Sequence, residues 1–108
     1  MHRYDLKGFE EVSKFNHNDK TALLYQIEKK SHFDSVSVIS ALAEIFEDDY
    51  ITPLETETST DVQDRSTIVL LFDLTGTALT LNEFYNLKTT ISFNDGSSLI
   101  RKSKVRLI

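Results

Sequence analysis

VSVISALAEIF, residues 36–46, is the stretch on which the fold turns. With a period near 3.6, Val36, Ile39, Ala43 and Phe46 form one apolar stripe, and Val38, Leu42 and Ile45 widen it. Ser31-His32-Phe33-Asp34 stands just upstream, a hydroxyl three residues before a carboxylate, which is the spacing of a capping box. The expectation is a long central helix whose broad apolar face needs more than one element to cover it. That helix would run into Glu47, Asp48 and Asp49, where the macrodipole is negative. Each exposed charge there costs about 0.3–1 kcal/mol.

Working outward toward the N-terminus, Asn16-His17-Asn18 supplies turn and cap chemistry for a helix over about residues 19–30. Its core face is Leu23, Leu24 and Ile27, with Asp19 at the start and Lys29-Lys30 at the end, as the macrodipole prefers. Phe9, Val12 and Phe15, at i, i+3 and i+6 after Gly8, suggest one or two further helical turns.

Toward the C-terminus the period changes. Residues 50–60, with Pro53 and alternating Glu and Thr, read as a loop or irregular edge. Thr67 to Leu74 is β-branched and apolar on both faces, as in a central strand covered on both sides. Residues 77–88 stay open between a short helix begun by Thr80-Leu81-Asn82-Glu83 and a returning strand. Thr89, Ile91 and Phe93 then alternate, Asn94-Asp95-Gly96 is a tight-turn signal, and residues 99–108 resume as a strand, so a β-hairpin closes the chain. One α+β domain over residues 1–108 follows: two or three N-terminal helices packed on a small antiparallel sheet of three to four strands.

At 108 residues and 40% hydrophobic composition, a single core is feasible. The absence of cysteine excludes disulfides, thiolate chemistry and Cys-based zinc sites, and fits a reducing compartment. The longest apolar run, Ile68 to Phe72, is far below the ~20 residues needed to span a bilayer, and the charged N-terminus lacks the apolar core of a secretory signal. A cytoplasmic chain with no membrane partner is the expectation. The net charge of −5 argues against generic adhesion to nucleic acid.

Enzyme signatures are weak. His2, His17 and His32 lack metal-ligand spacing, and no Gly-rich loop follows a strand to cradle phosphate, so neither catalysis, metal nor cofactor is expected. Glu10-Glu11 and Asp48-Asp49 are adjacent and do not face each other as an acid–base pair. Asp19 with Glu28-Lys29-Lys30 resembles the acid, acid and lysine set of metal-dependent nucleases, but the expected helix would misplace it. Arg101, Lys102, Lys104 and Arg106 form a basic ribbon without interleaved aromatics, read as protection of an edge strand.

The segment from Glu44 to Asp64 holds eight acids and no base. Its charges are cheap to keep, since two of them ~8 Å apart in water repel by about 0.5 kcal/mol. Tyr50, Ile51 and Leu54 add apolar anchors among charges that steer. The candidate partner-binding residues are therefore Glu47, Asp48, Asp49, Tyr50, Ile51, Leu54, Glu55, Glu57, Asp61 and Asp64. The functional expectation is a non-enzymatic acidic inhibitor, an immunity protein that covers the basic active-site surface of a nuclease-type bacterial toxin. The alternatives are a nucleic-acid mimic, or a structural or adaptor subunit acting through its apolar faces and edge strand.

Overall fold

Strands stand where helices were expected. The computed structural model describes residues 4–7, 12–29 and 36–108. It contains β1 (Tyr4–Lys7), β2 (Val12–Phe15), β3 (Lys20–Lys29), β4 (Val38–Phe46), β5 (Glu55–Ser59), β6 (Asp61–Asp64), β7 (Thr67–Asp73), β8 (Phe84–Phe93) and β9 (Ser98–Leu107). Among the described residues there is no helix, and the expected α+β domain is corrected to an all-β one. The capping box Ser31–Asp34, Gly8, Phe9 and Glu10-Glu11 lie outside the described residues.

Local chemistry explains the correction. In β4 the side chains of Val38, Ala41, Ala43 and Ile45 are buried in the core, but the register shifts between Val38 and Ser40. A bulge of this kind changes the parity of everything after it, so a period-2 strand stops looking like one. Phe46 is buried as well, on the face opposite Ile45, which adds to the apparent width of the stripe. In β3 the inward set is Leu23, Tyr25 and Ile27, a plain alternation. Leu24, which a helical face would share with Leu23 and Ile27, is exposed.

The strands form two sheets, one ordered β1-β3-β7-β6 and the other β2-β9-β8-β4-β5. All pairings are antiparallel except β2 with β9, which is parallel. Only Thr60 separates β5 from β6, so the chain passes there from one sheet to the other. Ser59 secures the crossing: its hydroxyl donates to the Val69 carbonyl at 2.5 Å and accepts from the Asp61 amide at 3.0 Å.

β7 is internal to its sheet, between β3 and β6. It is covered on one side only, because Ile68, Leu70 and Phe72 are buried while Leu71 is exposed. Residues 74–83 are neither helix nor strand but a loop in which Gly76 and Asn82 take left-handed φ of 76° and 69°. The closing hairpin pairs Phe84↔Arg106 through Ser92↔Ser98, with Gly96 at φ 86° in its turn, a conformation glycine adopts without a Cβ penalty. β9 is not a bare edge, since β2 pairs with its Lys104–Leu107 portion.

The core lies between the sheets. Phe15 of β2 meets Phe72 of β7 with ring centroids 5.2 Å apart, and each fully buried side chain of this kind contributes roughly 1.5–3 kcal/mol as an upper estimate. The Tyr25 hydroxyl on β3 lies 3.2 Å from the Thr89 hydroxyl on β8, so one hydrogen bond crosses the layer. Burial pushes the Tyr25 phenol up to about 12.

Candidate functional site

The acidic segment begins where β4 ends. Leu54 donates its amide to the Ile45 carbonyl at 2.7 Å, which closes residues 47–53 into a loop. Inside it the Asp49 carboxylate accepts from the amides of Ile51 at 3.1 Å and Thr52 at 3.4 Å, a side chain mimicking a backbone turn. Tyr50 folds back over Phe46, with centroids 5.3 Å apart, and the Lys102 ammonium sits 4.4 Å from the centre of the Tyr50 ring. Phe46 is therefore buried outside the main core, under a lid of Tyr50. Glu47, Asp48, Asp49, Thr52 and Leu54 line an open cleft of about 200 Å³. In the same loop Ile51 is 83% exposed.

The remaining acids lie elsewhere. Glu55 and Glu57 face Ile45 and Ala43 across β5, so they point inward at the sheet edge, and the Thr77 hydroxyl donates to Glu55. Inward charges on an edge strand block pairing with another chain, which accounts for the alternating Glu and Thr. Asp61 and Asp64 belong to β6, in the other sheet. Asp64 is a turn residue: the Ser66 amide, at 2.8 Å, is the main reason its carboxyl sits below the usual range. The neighbouring Arg65 carbonyl accepts from Val38, at the start of β4, whereas the acidic loop follows its end. At a rise of about 3.3 Å per residue, that separates the two by roughly 26 Å. The structure brings Glu47, Asp48, Asp49, Tyr50, Ile51 and Leu54 together and leaves Asp61 and Asp64 apart.

A second constellation appears on the outer face of the five-stranded sheet. Tyr85, Leu87, Thr89, Ser103, Val105 and Leu107 point into the core, so the alternate positions of β8 and β9 point out. Across these strands Lys88 pairs with Lys102, Asn86 with Lys104 and Phe84 with Arg106. β2 adds Lys14 directly opposite Arg106, next to fully buried Phe15. The acid in register with this field is Glu44, opposite Lys88. The Arg106 guanidinium lies 5.6 Å from the Phe84 ring centre. Aromatics thus do interleave with the basic ribbon, through Phe84 and Tyr50, but across strands and not along the chain. Alternation in residues 84–93 was the signal that could have placed Lys88 and Phe84 on one face with Lys102 and Arg106.

The nuclease-like set is not assembled. Glu28 and Lys29 fall on a strand, contrary to the helical expectation, but Asp19 precedes the other end of β3, about 30 Å away by strand rise, and Lys30 lies outside the described residues. Among the described residues no group of three or more His, Asp or Glu side chains is placed to hold a metal ion. His17 is tied by Nε2 to the Leu79 carbonyl at 2.9 Å and pins two loops together.

The strand order defines a class. One sheet runs A-B-E-D and the other G-F-C-C′ with an added N-terminal strand, the arrangement of immunoglobulin-type sandwiches. Tyr85, at the start of β8, accepts from the Thr80 amide at 2.9 Å, as the corner tyrosine of that architecture does. The Tyr25–Thr89 contact joins the two strands that a disulfide links in antibody domains. No family model and no curated protein matches the chain. Among solved structures, one of murine CRIg is similar at a TM-score of 0.48 and 10% identity, covering 97% of this chain and 96% of that one.

Proposed function

We propose that the chain is a non-enzymatic protein-binding domain that works through the outer face of its five-stranded sheet, and that its partner presents an acidic surface. One observation carries this reading. A chain of net charge −5 places Lys14, Lys88, Lys102, Lys104 and Arg106 on a single sheet face, with like charges directly opposite one another at two cross-strand pairs. Like-charged pairs cost a sheet stability; Glu44 offsets this at Lys88, but five basic residues gathered on one face against one acid in register favour a role outside folding. Phe84 and Tyr50 supply the aromatic anchors, beside Arg106 and Lys102, that bound surfaces use to slow release.

A second reading keeps the sign of the sequence-based expectation, an acidic inhibitor docking on a basic toxin surface. It now rests on residues 47–54 alone, and what favours it is the exposed Ile51 among Glu47, Asp48 and Asp49.

Two probes separate the readings. A labelled poly-glutamate peptide should bind the protein at low salt and lose most of that binding in K104E/R106E, while D48K/D49K keeps it. A poly-lysine peptide sensitive to D48K/D49K, with poly-glutamate giving no signal, would reverse the assignment.

A further inference from the structure

We propose that the acidic partner of the cationic face is a second copy of this chain, docked face to face about a two-fold axis. This rests on the reading above and adds the identity of the partner. Phe46, Asn86 and Lys104 lie in one cross-strand row, and Val12 of β2 continues that row beyond Lys104. The acidic loop starts immediately after Phe46 and folds over the same face, as the Tyr50–Lys102 contact shows. A negative loop and a positive strip therefore stand side by side at one height. With strands about 4.8 Å apart, β4 and β9 are separated by roughly 10 Å.

That arrangement has a consequence for symmetry. A two-fold axis running parallel to the strands, between two such faces, preserves height and exchanges left for right. Each copy's Glu47, Asp48 and Asp49 then meet the other copy's Lys104 and Arg106, in two equivalent contacts that close the assembly as a dimer. An axis across the strands would instead set the basic strip against itself, and like charges disfavour it. Ile51, at the tip of the loop, is the apolar residue that such a contact would cover.

Sedimentation velocity at low salt tests this, with poly-glutamate binding measured in parallel. The wild-type protein should dimerise, and the dimer should weaken steeply as salt rises. D48K/D49K and K104E/R106E should each associate roughly tenfold or more weakly than wild type. Mixing the two variants should restore a heterodimer, because the reversed loop of one matches the reversed strip of the other at one of the two contacts. Circular dichroism of each variant guards against simple unfolding. A wild-type chain that stays monomeric while still binding poly-glutamate through Lys104 and Arg106 overturns the dimer and leaves the face reading intact. A monomer that binds no poly-glutamate overturns both. A dimer indifferent to salt and to both reversals is held by some other surface, and it overturns the proposal as well.

Discussion

The two outer faces of the sandwich are built on the same alternation and carry opposite chemistry. On the four-stranded sheet, Ala22 stands opposite Leu71 and Leu24 opposite Val69, an apolar patch in which Leu24 is 57% and Leu71 49% exposed. Its flanking charges, Lys20 and Asp73, are directly paired and of opposite sign. On the five-stranded sheet the direct pairs Lys14↔Arg106 and Lys88↔Lys102 are of like sign. Each sheet carries direct pairs of like sign, but in the four-stranded sheet that pair is acidic, Asp5↔Glu28, whereas in the five-stranded sheet both are basic and Glu44 opposite Lys88 is the acid in register with them. A net charge summed over the chain conceals this, since among the described residues the acids lie mainly in loops, at edges and on the opposite sheet.

The largest effect that can break the contrast involves Phe46. It lies on the cationic face yet is buried under Tyr50, so Phe46→Ala should cost about 3–5 kcal/mol in urea unfolding. Leu24→Ala on the apolar face should cost under about 1 kcal/mol. Equal costs would mean that the Tyr50 lid is not formed in solution. Next in size is the interior that both faces share. The Tyr25 phenol is raised by burial from 10.0 to about 12. Its contribution is thus complete below the unfolded value near 10 and is lost as pH climbs through the folded one. On the order of 2–3 kcal/mol should disappear over that interval, and Tyr25→Phe should flatten this alkaline limb. A wild-type limb that matches the variant's would place Tyr25 in contact with water.

How much of this could be read from residues alone depends on whether the signal is local. The closing hairpin was legible because alternation in residues 89–93, the Asn94-Asp95-Gly96 turn and the returning strand are contiguous. β7 was legible as a strand from its β-branched run, although not its exposed side, which depends on what packs there. β3 and β4 were misread because exposed Leu24 and the bulge after Val38 gave apolar residues a helical spacing. The acidic loop was visible as composition. The cationic face was not, since residues 14, 88 and 102–106 meet only through β2-β9 and β8-β9 pairing. Cross-strand neighbours have no fixed distance in sequence, whereas helical neighbours do.

Substitutions at the charge pairs sharpen the contrast at smaller scale. Lys14→Thr removes one member of the like-charged Lys14–Arg106 pair and should stabilise by roughly 0.2–1 kcal/mol, while weakening poly-glutamate binding. Lys20→Thr removes the favourable partner of Asp73 on the other face and should destabilise slightly. Opposite signs in the two variants, from the same chemical change, are the outcome to seek. If both destabilise, the lysine stems matter through packing and the charge argument fails.

The smallest effect concerns Asp73 and separates hydrogen bonding from charge. Its carboxyl is held below the ordinary range first by the Thr75 hydroxyl and then by the Thr75 amide, at 2.9 Å, with Lys20 a lesser cause. A carboxyl depressed in the folded state favours folding above its unfolded value, near 3.8, and that contribution fades as pH falls through the folded value. The difference in urea midpoint between wild type and Asp73→Asn should therefore shrink as pH is lowered through that window. Because the hydrogen bonds from Thr75 hold the carboxylate more strongly than Lys20 does, Thr75→Val should remove most of the acid-range dependence, while Lys20→Thr or added salt should leave most of it. Were salt alone to abolish it, the Lys20–Asp73 pair would be the dominant cause, and the two faces would differ only in the sign of their charge pairs.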